Sequence, residues 1–190
     1  MKSVTLTAIP LIFVTSVIGL PSGATADENE SNNPAARMIA ETDPWTYRVI
    51  KADQQAFLAI VSTAQQALAK DGNLDDLRRQ RANALRDSGI VTFRDWIGVL
   101  DHMPSDGGDG FISIQITLSP HITLKTAFDV APGSPVFTIA NPLRYGTIVQ
   151  FSGRFVPDGK DYFKETSLTT HGSLEDPDWL IQIDSIKALD

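Results

Sequence analysis

Residues 111–126 read FISIQITLSPHITLKT, and their alternation decides the architecture of the C-terminal half. Ile112, Ile114, Ile116 and Leu118 fall on one side of an extended chain, while Phe111, Ser113, Gln115 and Thr117 fall on the other. Ile122, Leu124 and Thr126 continue the period of two beyond Ser119-Pro120. The two segments are therefore expected to pair as neighbouring antiparallel strands.

Working outward, strands are expected at residues 91–101, 147–156 and 179–187, with an irregular stretch at 129–145 between the third and fourth. Five strands in this order suit a closed or nearly closed antiparallel barrel, which removes exposed sheet edges; a β-sandwich of similar strand count is the alternative. Gly98 and Gly153 sit in mid-strand, where a tightly curved barrel needs a bulge or bend.

Upstream the period is helical. Asp43 and Pro44 suit a helix start, and Ile50, Phe57, Val61, Ala64 and Leu68 recur at helical spacing up to Lys70. A helix over 44–70 would be ~40 Å long. Asn73 is placed to cap a second helix ending at Gly89, with Asp75 and Asp76 in its first turn. Leu74, Leu77 and Leu85 lie roughly on one side of it. Arg78, Arg79, Arg81 and Arg86 occupy the rest, and are expected to form a solvated face pairing with nearby acids rather than an anion patch. The expected fold class is α+β, with a helical hairpin over 43–89 and a five-stranded antiparallel β-barrel over 90–190.

The first 26 residues say where the chain is expected to work. Lys2 precedes an apolar run from Val4 to Leu20, and Ala24-Thr25-Ala26 ends it in small side chains. This is the pattern of a secretory signal peptide cleaved after Ala26, and the run is short for a membrane span. Polar residues 27–42 then read as a flexible leader. Without Lys2 the chain carries 15 basic against 23 acidic residues, a charge that repels phosphate backbones. The sequence holds no cysteine, so neither a disulfide nor a lipid-bearing cysteine is available. The expected location is the periplasm or the medium, with no stable membrane insertion after cleavage.

The stretches WIGVL (96–100) and GTIVQFSGRFV (146–156), as first and fourth strands, resemble the oligonucleotide/oligosaccharide-binding (OB) fold. Residues 149–186, VQFSGRFVPDGKDYFKETSLTTHGSLEDPDWLIQIDSI, also resemble the C-terminal half of exported bacterial proteins of uncharacterised function that join a helical hairpin to such a barrel. That likeness covers about half of the mature chain and implies no particular chemistry. The OB resemblance implies a ligand face on the outside of strands two and three, flanked by the loops after strand one and before strand five. It would present Phe111, Ser113, Gln115, Thr117, His121, Thr123 and Lys125. One aromatic ring and one lysine are too few for single-stranded nucleic acid, which needs stacking platforms and a basic groove.

Other chemistry is thinly represented. Asp101, Asp106 and Asp109 sit in a glycine-rich stretch that could wrap calcium, but their spacing departs from the EF-hand loop. His102, His121 and His171 show no zinc spacing, and Ser152 lacks the turn of a nucleophile elbow. No cofactor and no metal is expected. Glu165, Glu175, Asp176 and Asp178 are acids from which a glycan hydrolase would have to draw its pair. Trp45, Trp96 and Trp179 stand among apolar neighbours, and at least two are expected to join the hairpin to the barrel. The resulting expectation is a non-enzymatic exported binding module for an envelope protein or glycan, with contacts at Phe111, Gln115, Lys125, Lys164 and Glu165. The alternatives are an envelope polysaccharide or cell-wall hydrolase, and an inhibitor or immunity-type partner of a secreted enzyme.

Overall fold

The computed structural model describes residues 50–70, 72–104 and 110–189, with the backbone alone for 102–104. The expected signal sequence and leader, Asp43, Trp45 and the Asp106/Asp109 loop lie outside the described residues. Those that are described fall within one compact unit.

Helix α1 (Ala52–Leu68) packs against α2 (Leu74–Ser88), and the chain then enters the barrel. The sequence-based helix over 44–70 is too long: Lys51 is extended (φ −57°, ψ 146°) and acts as the N-cap, so α1 has 17 residues. Along α1, Gln54, Phe57, Leu58, Val61 and Ala64 are buried. Helix α2 follows its expected signals. The Asn73 side chain accepts the Asp76 N–H at 3.0 Å, and Gly89 ends the helix at φ +68°, a conformation that disfavours other residues.

The barrel strands are β1 (Thr92–Pro104), β2 (Ile112–Ser119), β3 (Ile122–Thr126), β4 (Ile148–Phe155) and β7 (Asp178–Ala188). They close in the order β1-β2-β3-β7-β4, with β4 returning to β1. A two-stranded hairpin, β5 (Pro157–Asp158) and β6 (Tyr162–Phe163), and a short helix α4 (Thr170–Glu175) lie between β4 and β7. Helix α3 (Pro135–Ala140), capped by Ser134, interrupts the stretch expected to be irregular and packs against β7. The structure thus has α+β architecture with a closed five-stranded barrel.

One correction applies to the expected all-antiparallel sheet. β3 and β7 run parallel, with Thr123, Leu124, Lys125 and Thr126 opposite Asp178, Trp179, Leu180 and Ile181. Strand alternation identifies which face is buried but not which distant strand closes the sheet. The direction of closure follows from the long excursion through β4 to α4, which brings the chain back at the start of β3.

The alternation itself is realised. Ile112, Ile114, Ile116, Leu118, Ile122 and Leu124 fill the interior, while the intervening residues stay half-buried. Of the two mid-strand glycines, Gly153 adjoins a β4–β7 bulge, whereas Gly98 lies in regular register opposite Val149; neighbouring strands crowd both. A Cβ on Gly153 would strike the Gln182 carbonyl oxygen, and one on Gly98 would strike the Ile116 side chain. Both positions accept only a bare backbone.

The hairpin is joined to the barrel by aromatic packing. The Phe57 ring lies 5.3 Å from Trp96, 5.0 Å from Trp179 and 5.1 Å from Phe155. Two of the three tryptophans therefore make the seam expected of them. Beside them Gln54, 1% exposed, donates to the Ile97 carbonyl at 2.6 Å and accepts the Ile97 N–H at 2.9 Å. A buried amide satisfies both backbone groups of one β1 residue, so this contact fixes the register of α1 on the barrel.

Candidate functional site

Three of the five expected contact residues form one row. Gln115 stands opposite Lys125 in the β2–β3 ladder, and Lys125 opposite Leu180 in the β3–β7 ladder. The Leu180 N–H donates to the Lys164 carbonyl at 2.8 Å, which adds the segment after β6 as a further strand-like neighbour. Cross-strand partners share a face, so Gln115, Lys125, Leu180 and Lys164 run side by side across the barrel exterior. Ser113, Thr117 and Thr123 border the row and are half-buried. Helices α1 and α2 pack on each other and on α4, α2 also reaches β6, and α3 packs on β7. Phe111 lies half-buried just before β2, four residues along the chain from Gln115.

The parallel seam adds acids to this face. His121 Nδ1 lies 2.6 Å from Asp176 Oδ1, both side chains being exposed. Asp178, opposite Thr123, has its carboxyl pushed up by burial, with Lys125 pulling it down and Asp176 pushing it up. The surface is a mixed polar one, with two lysines along its row and Asp176 and Asp178 at one end. It can offer hydrogen bonds in both directions and ion pairs.

Glu165 is placed differently from its neighbour Lys164. Its side chain is 6% exposed and ion-pairs with Arg81, whose side chain is 1% exposed; Oε2 also accepts from the Ser173 hydroxyl at 2.5 Å. Arg81 donates further to the Ser173 carbonyl, lies 3.0 Å from the Ser173 hydroxyl, and stacks 5.2 Å from the Trp179 ring centroid. Burial raises the Glu165 carboxyl and lowers the Arg81 guanidinium, each opposed by the charge of its partner. This carboxylate ties the connection between β4 and β7 to α2, and it is turned away from solvent.

Among the arginines, the expected solvated face holds for Arg79 and Arg86, which are exposed, while Arg78 is half-buried and Arg81 is buried; Arg78, Arg79 and Arg81 pair with acids. Arg78 forks onto Asp161, which is 8% exposed, and that contact raises the Arg78 guanidinium further. Arg79 pairs with Asp76 on the surface, and Arg86 stacks 5.7 Å from the Tyr162 ring centroid. Arg81 is the missed residue. Its one signal is position: it lies four residues before Leu85 and four after Leu77, on the apolar side of α2.

Of the remaining candidates, Ser152 lies in β4 with its hydroxyl accepting the Asp95 N–H at 3.0 Å. His171 lies 3.2 Å from Glu175 on α4. Among the described residues, no group of three or more His, Asp or Glu could hold a metal ion, and no helix is long and apolar enough to cross a membrane. Comparison of the chain with protein-family models, with curated proteins and with solved structures finds no match.

Proposed function

We propose that this chain is a non-enzymatic binding module of the cell envelope, exported by its N-terminal segment, which holds a protein or glycan against the outer face of β2, β3 and the start of β7. The observation that carries this reading is the half-buried to exposed row Gln115–Lys125–Leu180–Lys164 on the barrel exterior. The barrel order, with a parallel closing pair and a helix between β3 and β4, supports the OB-like reading in which that face is the ligand surface. Two lysines on an otherwise acidic chain favour a partner that brings carboxylate or phosphate to this row. The burial of Glu165 in an ion pair with Arg81 weighs against the hydrolase alternative, for which that side chain would supply an acid.

The test is affinity capture from an envelope extract with tagged protein, comparing the wild type with a Gln115→Ala/Lys125→Ala/Lys164→Ala variant. Glu165 is left intact because its loss would perturb the fold. Lys164 is exposed and Gln115 and Lys125 are half-buried outside the core, so substitutions there change stability by only about 0.5 kcal/mol each. Material retained by the wild type, released as salt rises and lost in the triple variant, is the expected result. Equal retention by both proteins would remove this face from consideration, and turnover of a captured polysaccharide would overturn the non-enzymatic reading.

A further inference from the structure

On the other side of the barrel, two bulges converge on one serine. Between the pairs Phe93↔Gly153 and Trp96↔Phe151, β1 supplies Arg94 and Asp95 where β4 supplies only Ser152. Between Ser152↔Ser185 and Gly153↔Ile183, β7 supplies an extra residue, Asp184. The surplus residues of both neighbours therefore flank Ser152 from either side. Bulges re-aim side chains and cluster at functional positions, and two at the same level of three adjacent strands leave a local opening.

That opening is a groove of about 450 Å³ lined by Thr92, Phe93, Arg94, Asp95, Ser152, Gly153 and Asp184. Asp95 is held there at φ +56°, a left-handed conformation unusual outside glycine. Its N–H is tied to Ser152, and its carboxylate lies 3.9 Å from Lys51 Nζ. Gly153 leaves the floor as bare backbone, and Phe93 is 1% exposed with its ring against Trp96, Phe151 and Phe155.

The chemistry narrows the ligand. The lining carries Arg94, Asp95 and Asp184, and Lys51 pairs with Asp95 from outside it, so charges of both signs meet at the groove and neither dominates as an ion site would require. It offers no apolar pocket for a hydrophobic side chain. What it presents is a donor fork, two carboxylate acceptors and two hydroxyls that act both ways, in a volume within the range of small-ligand sites. Such a set matches closely spaced hydroxyl groups, each of which donates and accepts.

We propose that the double-bulge groove around Ser152 is a carbohydrate subsite for a neutral, hydroxyl-rich ligand of about disaccharide size. It is separate from the β2–β3 face and does not depend on it. Without an exposed aromatic ring to stack on the sugar, affinity rests on hydrogen bonds, and a dissociation constant on the order of 1 mM is expected.

The experiment is titration of the ¹⁵N-labelled full chain with maltose, cellobiose and N,N′-diacetylchitobiose up to ~20 mM, a range set by that expected affinity. At least one sugar should shift the amides of Arg94, Asp95, Ser152, Gly153 and Asp184 in a saturable way. Asp184→Asn and Arg94→Ala, both at exposed positions, should each weaken binding at least about tenfold without lowering the melting temperature, since each removes a charge-assisted hydrogen bond. Absence of saturable shifts with all three sugars overturns the proposal. So do shifts confined to the β2–β3 face, binding that survives both substitutions, or tighter binding of digalacturonate than of any neutral sugar. Failure here leaves the captured-partner test on Gln115, Lys125 and Lys164 unaffected, because the two experiments read different residues.

Discussion

Replacement of Glu165 by alanine should be among the most damaging single changes to a polar side chain in this protein. Arg81 is 3% exposed, and Glu165 is its charge partner in a contact that also engages Ser173. Without the carboxylate the guanidinium keeps only the Ser173 carbonyl and hydroxyl, while its Nε already lacks a partner. Removing one member of a buried pair costs about 3–5 kcal/mol, a large share of the stability of an ordinary domain. At about 2–4 °C per kcal/mol for a chain of this size, the melting temperature should fall by ~6–20 °C. The same loss should appear as a lower urea midpoint with an unchanged slope. Burial pushes the Glu165 carboxyl up and the Arg81 guanidinium down, so desolvation outweighs their mutual attraction. The double replacement Arg81→Met/Glu165→Leu is accordingly expected to recover most of the loss, because it removes both charges together. A Glu165→Ala penalty below about 1 kcal/mol, or a double variant no more stable than the single, would refute the buried-pair account.

Three further expectations follow from the backbone and its acids. Gly153→Ala and Gly98→Ala should both lower the melting temperature, since the added methyl strikes the Gln182 carbonyl oxygen at 153, and at 98 strikes Cγ2 of the buried, β-branched Ile116 and crowds the Thr117 carbonyl oxygen; thermal melts that leave either variant as stable as the wild type would contradict the closure geometry. Asp95→Gly should raise stability by up to about 1 kcal/mol by relieving the positive φ, with only a weak exposed ion pair lost; a drop larger than that would show that Asp95 is not strained. Asp158 accepts the backbone N–H groups of Asp161 and Lys160 at 3.0 and 2.8 Å, which holds its carboxyl below the ordinary range. A depressed carboxyl stabilises the fold above its unfolded value, and that contribution is lost as pH falls through the folded value. The Asp158→Asn variant should therefore lose less stability than the wild type on acidification below about pH 4, as measured by urea melts across that range.

What could be read from the chain depended on the distance over which each signal acts. The 112–118 alternation is a local steric fact, and it identifies the buried face of β2 without knowledge of any partner. Asn73 and Gly89 bound α2 for equally local reasons, through a side-chain cap and a left-handed carbonyl turn. The Asp43-Pro44 signal lies outside the described residues, and the continuous helix expected from it does not pass through Lys51, which is extended. The Arg81–Glu165 pair joins residues 84 apart, and the parallel β3–β7 seam depends on where the excursion through residues 127–177 returns; neither leaves a trace in a short window.

The candidate contacts divide along the same line. Lys164 and Glu165 are adjacent in the chain, but extended backbone turns successive side chains to opposite faces. Lys164 joins the exposed row with Lys125, while Glu165 turns inward to Arg81. Treating the two as one acidic-basic contact patch overlooks that alternation, and the Glu165–Trp179 bridge enforces it by fixing the strand beside β7. The bulges act in the reverse sense. An extra residue breaks the alternation of β1 and of β7, and brings Arg94, Asp95 and Asp184 to one groove although a regular ladder would have dispersed them. Gly153 is the single residue in the sequence that signals this, since only glycine allows β4 to pass between two bulged neighbours at that point.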